Sequence, residues 1–376
     1  MKFHQSDYFL ISITFALVIF GLVILSNPSI VISQDTFGES YYFLKHQLFS
    51  VFLGLVLFFI CQRIYYKHWQ KAAFFLVLLS IFLLVLVFVP EIGYGYGQAK
   101  RWIALGPFSL QPFELAKLSF ILYLTALLSK PGAFGSQKAQ DEKSKSHHQV
   151  IKESLIPCLI MSGLIGLLVL LQPDFSALII LIVITLTIYF LAGTKISYLL
   201  GISGLALIGF FALVKTAAYR VNRLTVFLHP EMDPQGIGYQ INQALLAIGS
   251  GGLFGLGLGH SIQKWRYLPE PIGDSIFAIV AEELGLLGAG FLVILFILLA
   301  WRGFKIAKNA PDRFGYLLAG GITGWLFIQA FINIAAISGL IPLTGLPLPL
   351  ISYGGSAMVV SLAGLGILVN ISKYTK

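Results

Sequence analysis

Charged residues are scarce in this chain. Only 11% of its 376 residues are Asp, Glu, Lys or Arg, and 57% are apolar, whereas soluble domains carry about a quarter charged residues. That balance excludes an ordinary water-soluble globule, which cannot hide so much apolar surface. Cysteine is nearly absent too: Cys61 and Cys158 form neither an even framework nor a metal-like pair, so both are expected to be free thiols. No basic stripe interleaved with aromatics accompanies the net charge of +9, so no nucleic-acid partner is expected. No polar stretch is long enough for a soluble domain. The first apolar run lacks a small-residue cleavage site and is followed by many more, so it reads as an uncleaved span rather than a signal peptide.

What fills the chain is apolar runs. A bilayer core about 30 Å thick takes about 20 apolar residues per helix. Runs at 8–26, 46–62, 72–90, 113–129, 153–171, 175–192, 197–214, 276–301, 315–338 and 353–372 meet that length approximately. Each is continuously apolar rather than alternating, which favours helices over a barrel. The expected fold is all-α and integral to the membrane: about ten transmembrane helices forming one polytopic domain over residues 1–376. With the N-terminus inside, 16 Lys and Arg residues fall on the inner side and 8 on the outer, with Lys117 within a span. This bias puts both termini in the cytoplasm.

The connections then divide into two kinds. The inner loop 130–152 is polar and Lys-rich, the composition of a flexible connector. Its adjacent His147 and His148 have the pattern of solvated side chains rather than of a metal site. The outer connections are more apolar. Residues 91–112 combine Gly93, Gly95 and Gly97 with KRWIALGPFSLQP, too apolar for a plain turn. Residues 215–275 form the longest connection, which opens with AYRVNRLTVFLHP, Arg220 and Arg223 sharing one helical face, and continues through GSGGLFGLGLGH. A connection that long and apolar is expected to lie along the membrane surface and fold over the bundle. The outer stretch 338–355, SGLIPLTGLPLPLISYGG, is uncharged and proline-rich, which suits either a packed re-entrant loop or a substrate groove.

Polar groups at membrane depth are costly and each needs a reason. Glu114 and Lys117 are three apart, on one helical face, as an ion pair or as the wall of a polar cavity. Lys100 and Arg101 beside Trp102 suit a headgroup anchor or a phosphate grip. Asp174, after Gln172 and Pro173, is placed to cap a helix. Of Glu282 and Glu283, at least one is expected to hydrogen-bond inside the bundle. Asp274 stands just before the eighth span. It is either an N-cap or, with Lys264, Arg266 and Glu270 in the same loop and Pro269 and Pro271 stiffening it, a general base.

Several tracts together are specific: KRWIALGPFSLQPFELAK, LQPDF, YRVNRLTVFLHPEMDPQGIGYQINQALLAIGSGGLFGLGLGHSIQKWRYLPEP, IFAIVAEELG and GLIPLTGLPLPLISYGGSAM. In content and order, over nearly the whole chain, they resemble the SEDS family (shape, elongation, division and sporulation), and its FtsW branch rather than RodA. The resemblance implies a peptidoglycan glycosyltransferase of the bacterial cytoplasmic membrane. It would polymerise lipid II, a disaccharide-pentapeptide on undecaprenyl diphosphate, at the outer face during cell division. It implies Asp274 as the base that takes the proton of the acceptor 4-hydroxyl, with inversion at the donor carbon. Arg101, Gln111, Glu114, Lys117, Asp174, Lys264, Glu270 and Ser352 lie in matching motifs and form the implied substrate-contacting set. The implied partners are a class B penicillin-binding protein transpeptidase and other division proteins. A divalent cation, magnesium or manganese, is the cofactor it admits, with no ligand residues assigned. A lipid II flippase and a non-catalytic division scaffold are the alternatives. The acid's neighbours depart from the family pattern: Ile272, Gly273 and Ser275 replace His-Thr and Phe, Phe113 replaces the Ser of QPSE, and His46 replaces an Arg.

Overall fold

A computed structural model describes residues 5–96, 99–106, 108–130, 156–214, 218–229, 235–265 and 267–375. The polar loop with His147 and His148, and also Arg266, lie outside the described residues. The helices are α1 (Tyr8–Phe37), α2 (Tyr42–Arg63), α3 (Tyr66–Leu86), α4 (Pro112–Leu128), α5 (Ile156–Leu171) and α6 (Phe175–Leu191). They continue with α7 (Ile196–Val214), α8 (Ala218–Leu228), α9 (Tyr239–Ser250), α10 (Ile276–Lys308), α11 (Arg313–Ile337) and α12 (Gly355–Ser372). Among the described residues, six helices (α1, α2, α3, α10, α11 and α12) are long and apolar enough to cross a membrane. Three shorter apolar ones lie within α5, α6 and α7. The molecule is a multi-pass helical membrane protein.

Helices α4, α11 and α12 form the centre, with most of their side chains buried. The outer helices leave large apolar groups such as Phe75, Phe82 and Leu205 exposed, as a lipid-facing surface requires. Small residues let α2 and α12 approach closely: a Cβ on Gly366 would lie 2.4 Å from the Phe58 carbonyl oxygen. Cys61 and Cys158 are buried free thiols.

One end of the bundle gathers both termini. Arg302 binds Asp7 at 2.6 Å, the Asp7 amide donates to Ser372, and Asn370 accepts from the Tyr66 amide. Arg313 donates to the Leu128 carbonyl at the end of α4 and to the Ala192 carbonyl after α6. The other end carries the long connections.

Three features differ from the sequence expectation. First, residues 93–110 form a small antiparallel sheet, β1 (Gly93–Tyr96), β2 (Ala99–Leu105) and β3 (Phe108–Leu110), in the order β1-β2-β3. The fold is therefore not wholly α, because the short run of alternating Gly and Tyr pairs with KRWIAL instead of coiling. Second, α1 runs beyond residue 26, through Pro28, to Phe37. The hydroxyls of Ser26 and Ser29 donate to the carbonyls of Val23 and Ser26 in the turns flanking the proline, and apolar helices in a membrane tolerate Pro.

Third, the glycine tract does not merely cover the surface. Helix α10 is interrupted at Gly285, whose φ of 65° is non-helical. The tract fills the break: Leu256 and Gly257 amides donate to the Glu282 and Glu283 carbonyls, while Leu286 and Leu287 amides donate to Gly252 and Leu253. Backbone groups freed by the break are thus paired, as an apolar environment demands. A Cβ on Gly255, also at positive φ, would fall 2.2 Å from the Glu283 carbonyl oxygen. Gly255→Ala is therefore expected to lower stability by about 2 kcal/mol or more from backbone strain and the clash, read as a fall in thermal midpoint in detergent. Gly249→Ala, in open space within α9, is expected to leave it unchanged or raise it slightly.

Candidate active site

Asp274 lies one residue before Ser275, the N-cap of α10, and Ser275 makes no side-chain capping bond. The residues leading to it are clamped at three successive carbonyls. The Ile272 carbonyl accepts from the Tyr353 amide at 2.8 Å, that of Gly273 from Ser352 Oγ at 2.7 Å, and that of Asp274 from Asn333 Nδ2 at 2.8 Å. With its backbone held from behind, the Asp274 carboxylate is presented to Gln240 of α9, whose Nε2 donates to Oδ1 at 3.4 Å and to Ser275 Oγ at 3.2 Å.

Two charges act on that carboxylate from opposite directions. The group is mostly buried, and burial, with Glu270 beside it, pushes its pKa up to about 6 against the opposing effect of Arg223 and the Gln240 bond. Arg223, on α8, donates to the carbonyls of Leu343 at 3.2 Å and Thr344 at 3.5 Å. A narrow groove of about 70 Å³ runs from Arg223 between α8, α9 and residues 339–343, walled by Val226, Phe227, Ile241, Leu245 and Ile341. The site therefore joins an acid, a guanidinium and an apolar trough.

The uncharged stretch after α11 is what clamps the acid, and α11 fixes that stretch in turn. Asn333 also donates to the Leu346 carbonyl at 2.7 Å. One turn earlier, Gln329 donates to the Pro347 carbonyl at 3.0 Å and accepts from Trp325 Nε1 at 2.8 Å. Lys117 donates to the same Gln329 Oε1 at 3.0 Å and pairs with Glu114 at 2.8 Å. Its ammonium also lies over the rings of Phe113 and Trp325. Lys117 and Glu114 are thus a buried ion pair that supports the loop, two hydrogen-bonded steps from its backbone.

The remaining expected residues separate into three places. Arg101 joins Asp174, at 3.6 Å, and donates to the Gln172 and Pro173 carbonyls. Asp174 caps α6 through the Ala177 amide at 3.1 Å. The Gln111 amide donates to Ser356 Oγ at 2.9 Å, at the start of α12. Lys264 does not turn toward Asp274. It is buried beneath its own loop, donating to the Gly259 carbonyl and standing 3.8 Å from Glu283. Glu282 accepts from Ser261 Oγ and the Ile262 and Gln263 amides, so it pins that loop from the bundle interior. Among the described residues Arg223 is the cation acting on Asp274, and sequence order gave it no link to the acid 51 residues later. Its one signal was its place on the apolar–basic face of AYRVNRLTVFL. Gln240 and Asn333 carried no signal beyond being polar in apolar surroundings. Among the described residues, no cluster of three or more His, Cys, Asp or Glu could hold a metal ion.

A family model described as cell cycle protein, covering FtsW, RodA and SpoVE, matches residues 8–376. The chain belongs to this family. Among relatives within the FtsW, RodA and SpoVE family, stage V sporulation protein E of Bacillus subtilis is 38% identical over 375 residues, spanning 100% of this chain and 99% of its own. A probable peptidoglycan glycosyltransferase FtsW of Thioalkalivibrio sulfidiphilus is 41% identical over 363 residues, 96% of this chain and 88% of its own. Two solved structures share the fold over 99% of both chains. One comes from a peptidoglycan synthase complex studied for its coordination of polymerization and crosslinking, with TM-score 0.78 and 28% identity. The other is the Thermus thermophilus rod shape determining protein RodA, with TM-score 0.68 and 29% identity.

A raised pKa has a consequence for stability. The folded chain holds the Asp274 proton more tightly than the unfolded chain. The site therefore stabilises the fold below the ordinary carboxylate value, and that contribution is lost as pH rises through about 6. Asp274→Asn is accordingly expected to stabilise the protein by about 2 kcal/mol at pH 7.5. The gain should vanish near pH 4, with thermal midpoints at the two pH values as the measurement.

Proposed function

We propose that this chain is a peptidoglycan glycosyltransferase that polymerises lipid II at the outer face of the cytoplasmic membrane during cell division, with Asp274 as general base. The observation that carries the reading is the clamped Asp274 beside Arg223 at the head of an apolar groove. A polyprenyl diphosphate sugar offers one chemical part for each of these features. The relatives named as peptidoglycan glycosyltransferases support it, and the Lys and Arg bias supports ten crossings with both termini in the cytoplasm.

In this reading the acceptor's 4-hydroxyl oxygen attacks the donor's anomeric carbon while its proton passes to Asp274. The bond from that carbon to the diphosphate oxygen breaks, configuration inverts and the lipid diphosphate leaves. A base with a pKa near 6 is ionised at neutral pH yet basic enough to accept the proton. Arg223 meets the charge that develops on the diphosphate, an electrostatic role that counts most where water is sparse. Apolar walls beside the guanidinium suit the first prenyl units. Lys117, Glu114, Gln329, Asn333 and Ser352 position the acid through backbone.

A divalent cation, magnesium or manganese, fits the donors only in the mode of one or two carboxylates plus substrate phosphates. Glu270 is the carboxylate placed for it, and bound there it would neutralise diphosphate charge. The partners in this reading are a class B penicillin-binding protein transpeptidase and other division proteins.

Incubating the purified protein with lipid II, a divalent cation and its transpeptidase should yield glycan strands. Asp274→Asn should lower the yield at least about 100-fold, the usual size of a lost general base. Equal synthesis by the Asn variant would refute the assignment. Lipid II crossing vesicles without any glycan from the wild type would point to a flippase.

A further inference from the structure

The two charged groups of the site are each anchored by one half and open at the other. Asp274 accepts from Gln240 at Oδ1, and among the described residues no other residue donates to Oδ2. Arg223 binds the Leu343 and Thr344 carbonyls through Nη1 alone, which leaves Nη2 without a hydrogen-bond partner among the described residues. The two groups make no hydrogen bond to each other. Both open atoms nevertheless face one point, the place where a side chain on residue 345 would begin. A Cβ there would lie 3.7 Å from Asp274 Oδ2 and 3.9 Å from Arg223 Nη2.

Residue 345 is a glycine at a φ of 70°, and its neighbours are held on both sides. The Thr344 carbonyl accepts from Ser176 Oγ of α6 as well as from Arg223, and the Leu346 carbonyl accepts from Asn333 of α11. The Gly345 backbone is therefore a fixed floor beneath an open seat. Both distances are those of ordinary van der Waals contact, so one heavy atom fits there against both open atoms.

The two open atoms select what sits between them. An ionised carboxylate only accepts hydrogen bonds and a guanidinium only donates them. A phosphate oxygen in the seat would satisfy Arg223 and be repelled by Asp274, and an ammonium would do the reverse. A hydroxyl answers both through one atom. We propose that Gly345 is a specificity-determining residue: by having no side chain it keeps open, between Asp274 Oδ2 and Arg223 Nη2, a seat for the hydroxyl of the acceptor sugar. The assignment rests on the glycosyltransferase reading for the identity of that hydroxyl. Seated there, the hydroxyl donates its proton to Oδ2 and accepts from Nη2, so the guanidinium stabilises the negative charge that grows on oxygen as the proton leaves. The Nε–H of Arg223 binds neither carbonyl and remains for the diphosphate.

The probes are the lipid-free disaccharide of lipid II, which has no diphosphate to lose and so binds only as an acceptor, and the same disaccharide without its 4-hydroxyl. Titrated calorimetrically into the full chain in detergent, the 4-deoxy sugar should bind wild type about tenfold more weakly than the parent, the loss expected when charged groups lose a shared hydrogen-bond partner. In Gly345→Ala a methyl group takes the seat, so the two sugars should bind alike. Its rate with lipid II should fall at least about 100-fold, the cost of a displaced reacting atom. Gly38→Ala controls for backbone strain, since Gly38 has a φ of 71° with nothing near its Cβ position. Gly345→Ala should lower the thermal midpoint no further than Gly38→Ala, which should keep wild-type synthesis. Gly345→Asn, a residue that tolerates this backbone region, should fold as well and be equally inactive. A 4-deoxy sugar that binds wild type as tightly as the parent, a comparison that needs no variant to fold, would overturn the seat. So would synthesis by a folded Gly345→Ala or Gly345→Asn within about threefold of wild type. A wild type that prefers the parent sugar yet makes no glycan from lipid II would uphold the seat and refute the catalytic reading instead.

Discussion

Three consecutive backbone carbonyls, those of Ile272, Gly273 and Asp274, are each taken by a donor from the last third of the chain. Everything about the acid depends on this clamp. A carboxylate on an unrestrained glycine-containing turn would relax toward the cations and water around it, and its pKa would return toward the ordinary value. Fixing the carbonyls removes that freedom and leaves only the side chain to move. The donors are themselves braced: Ser352 Oγ accepts from the Leu348 amide, its carbonyl accepts from Gln47 of α2, and Asn333 spans Asp274 and Leu346. Segments far apart in sequence thus converge on three residues of backbone.

The buried charges make sense as supports for that arrangement. Lys117 and Glu114 are both almost wholly buried, and removing one partner of such a pair costs about 3–5 kcal/mol. Their worth lies less in net stability than in specifying one position for Gln329 and, through it, Pro347. Lys264 with Glu283, and Glu282 with the 261–263 turn, play the same part on the other side of the acid. The break at Gly285 comes directly after these two anchors on α10. It allows α10 to start at the acid and still run on through the bundle, at the cost of backbone groups that only a glycine-rich partner can approach closely enough to pair.

Much of this was legible in the sequence. Continuous apolar runs revealed the helices because lipid imposes one simple rule on them, and Asp274 stood out as an acid at the mouth of the longest apolar connection. Contacts were harder to read. Lys264 looked like a partner of Asp274 because it is ten residues away in the same loop, yet its long side chain folds back under the loop to the Glu283 carboxylate. Arg223 and Asn333 reach the acid from 51 residues before it and 59 residues after, distances over which no periodicity speaks. Asn27-Pro28 has the form of a helix end. The helix nevertheless continues through the proline to Phe37, a course visible only in three dimensions. The sheet at 93–110 was hidden for a related reason, since its strands are short and its pairing is set by turns.

In the proposed reaction Asp274 is the base, and its pKa is set by burial and Glu270 against Arg223. The most direct measurement is the pH dependence of glycan synthesis at saturating lipid II, for wild type and for Arg223→Gln. The wild-type rate should fall as pH drops through about 6. In Arg223→Gln, with the cation removed, the midpoint should move to higher pH while a slower rate persists above it. A wild-type rate that stays flat between pH 5 and 7.5, or a midpoint that Arg223→Gln leaves in place, would contradict it.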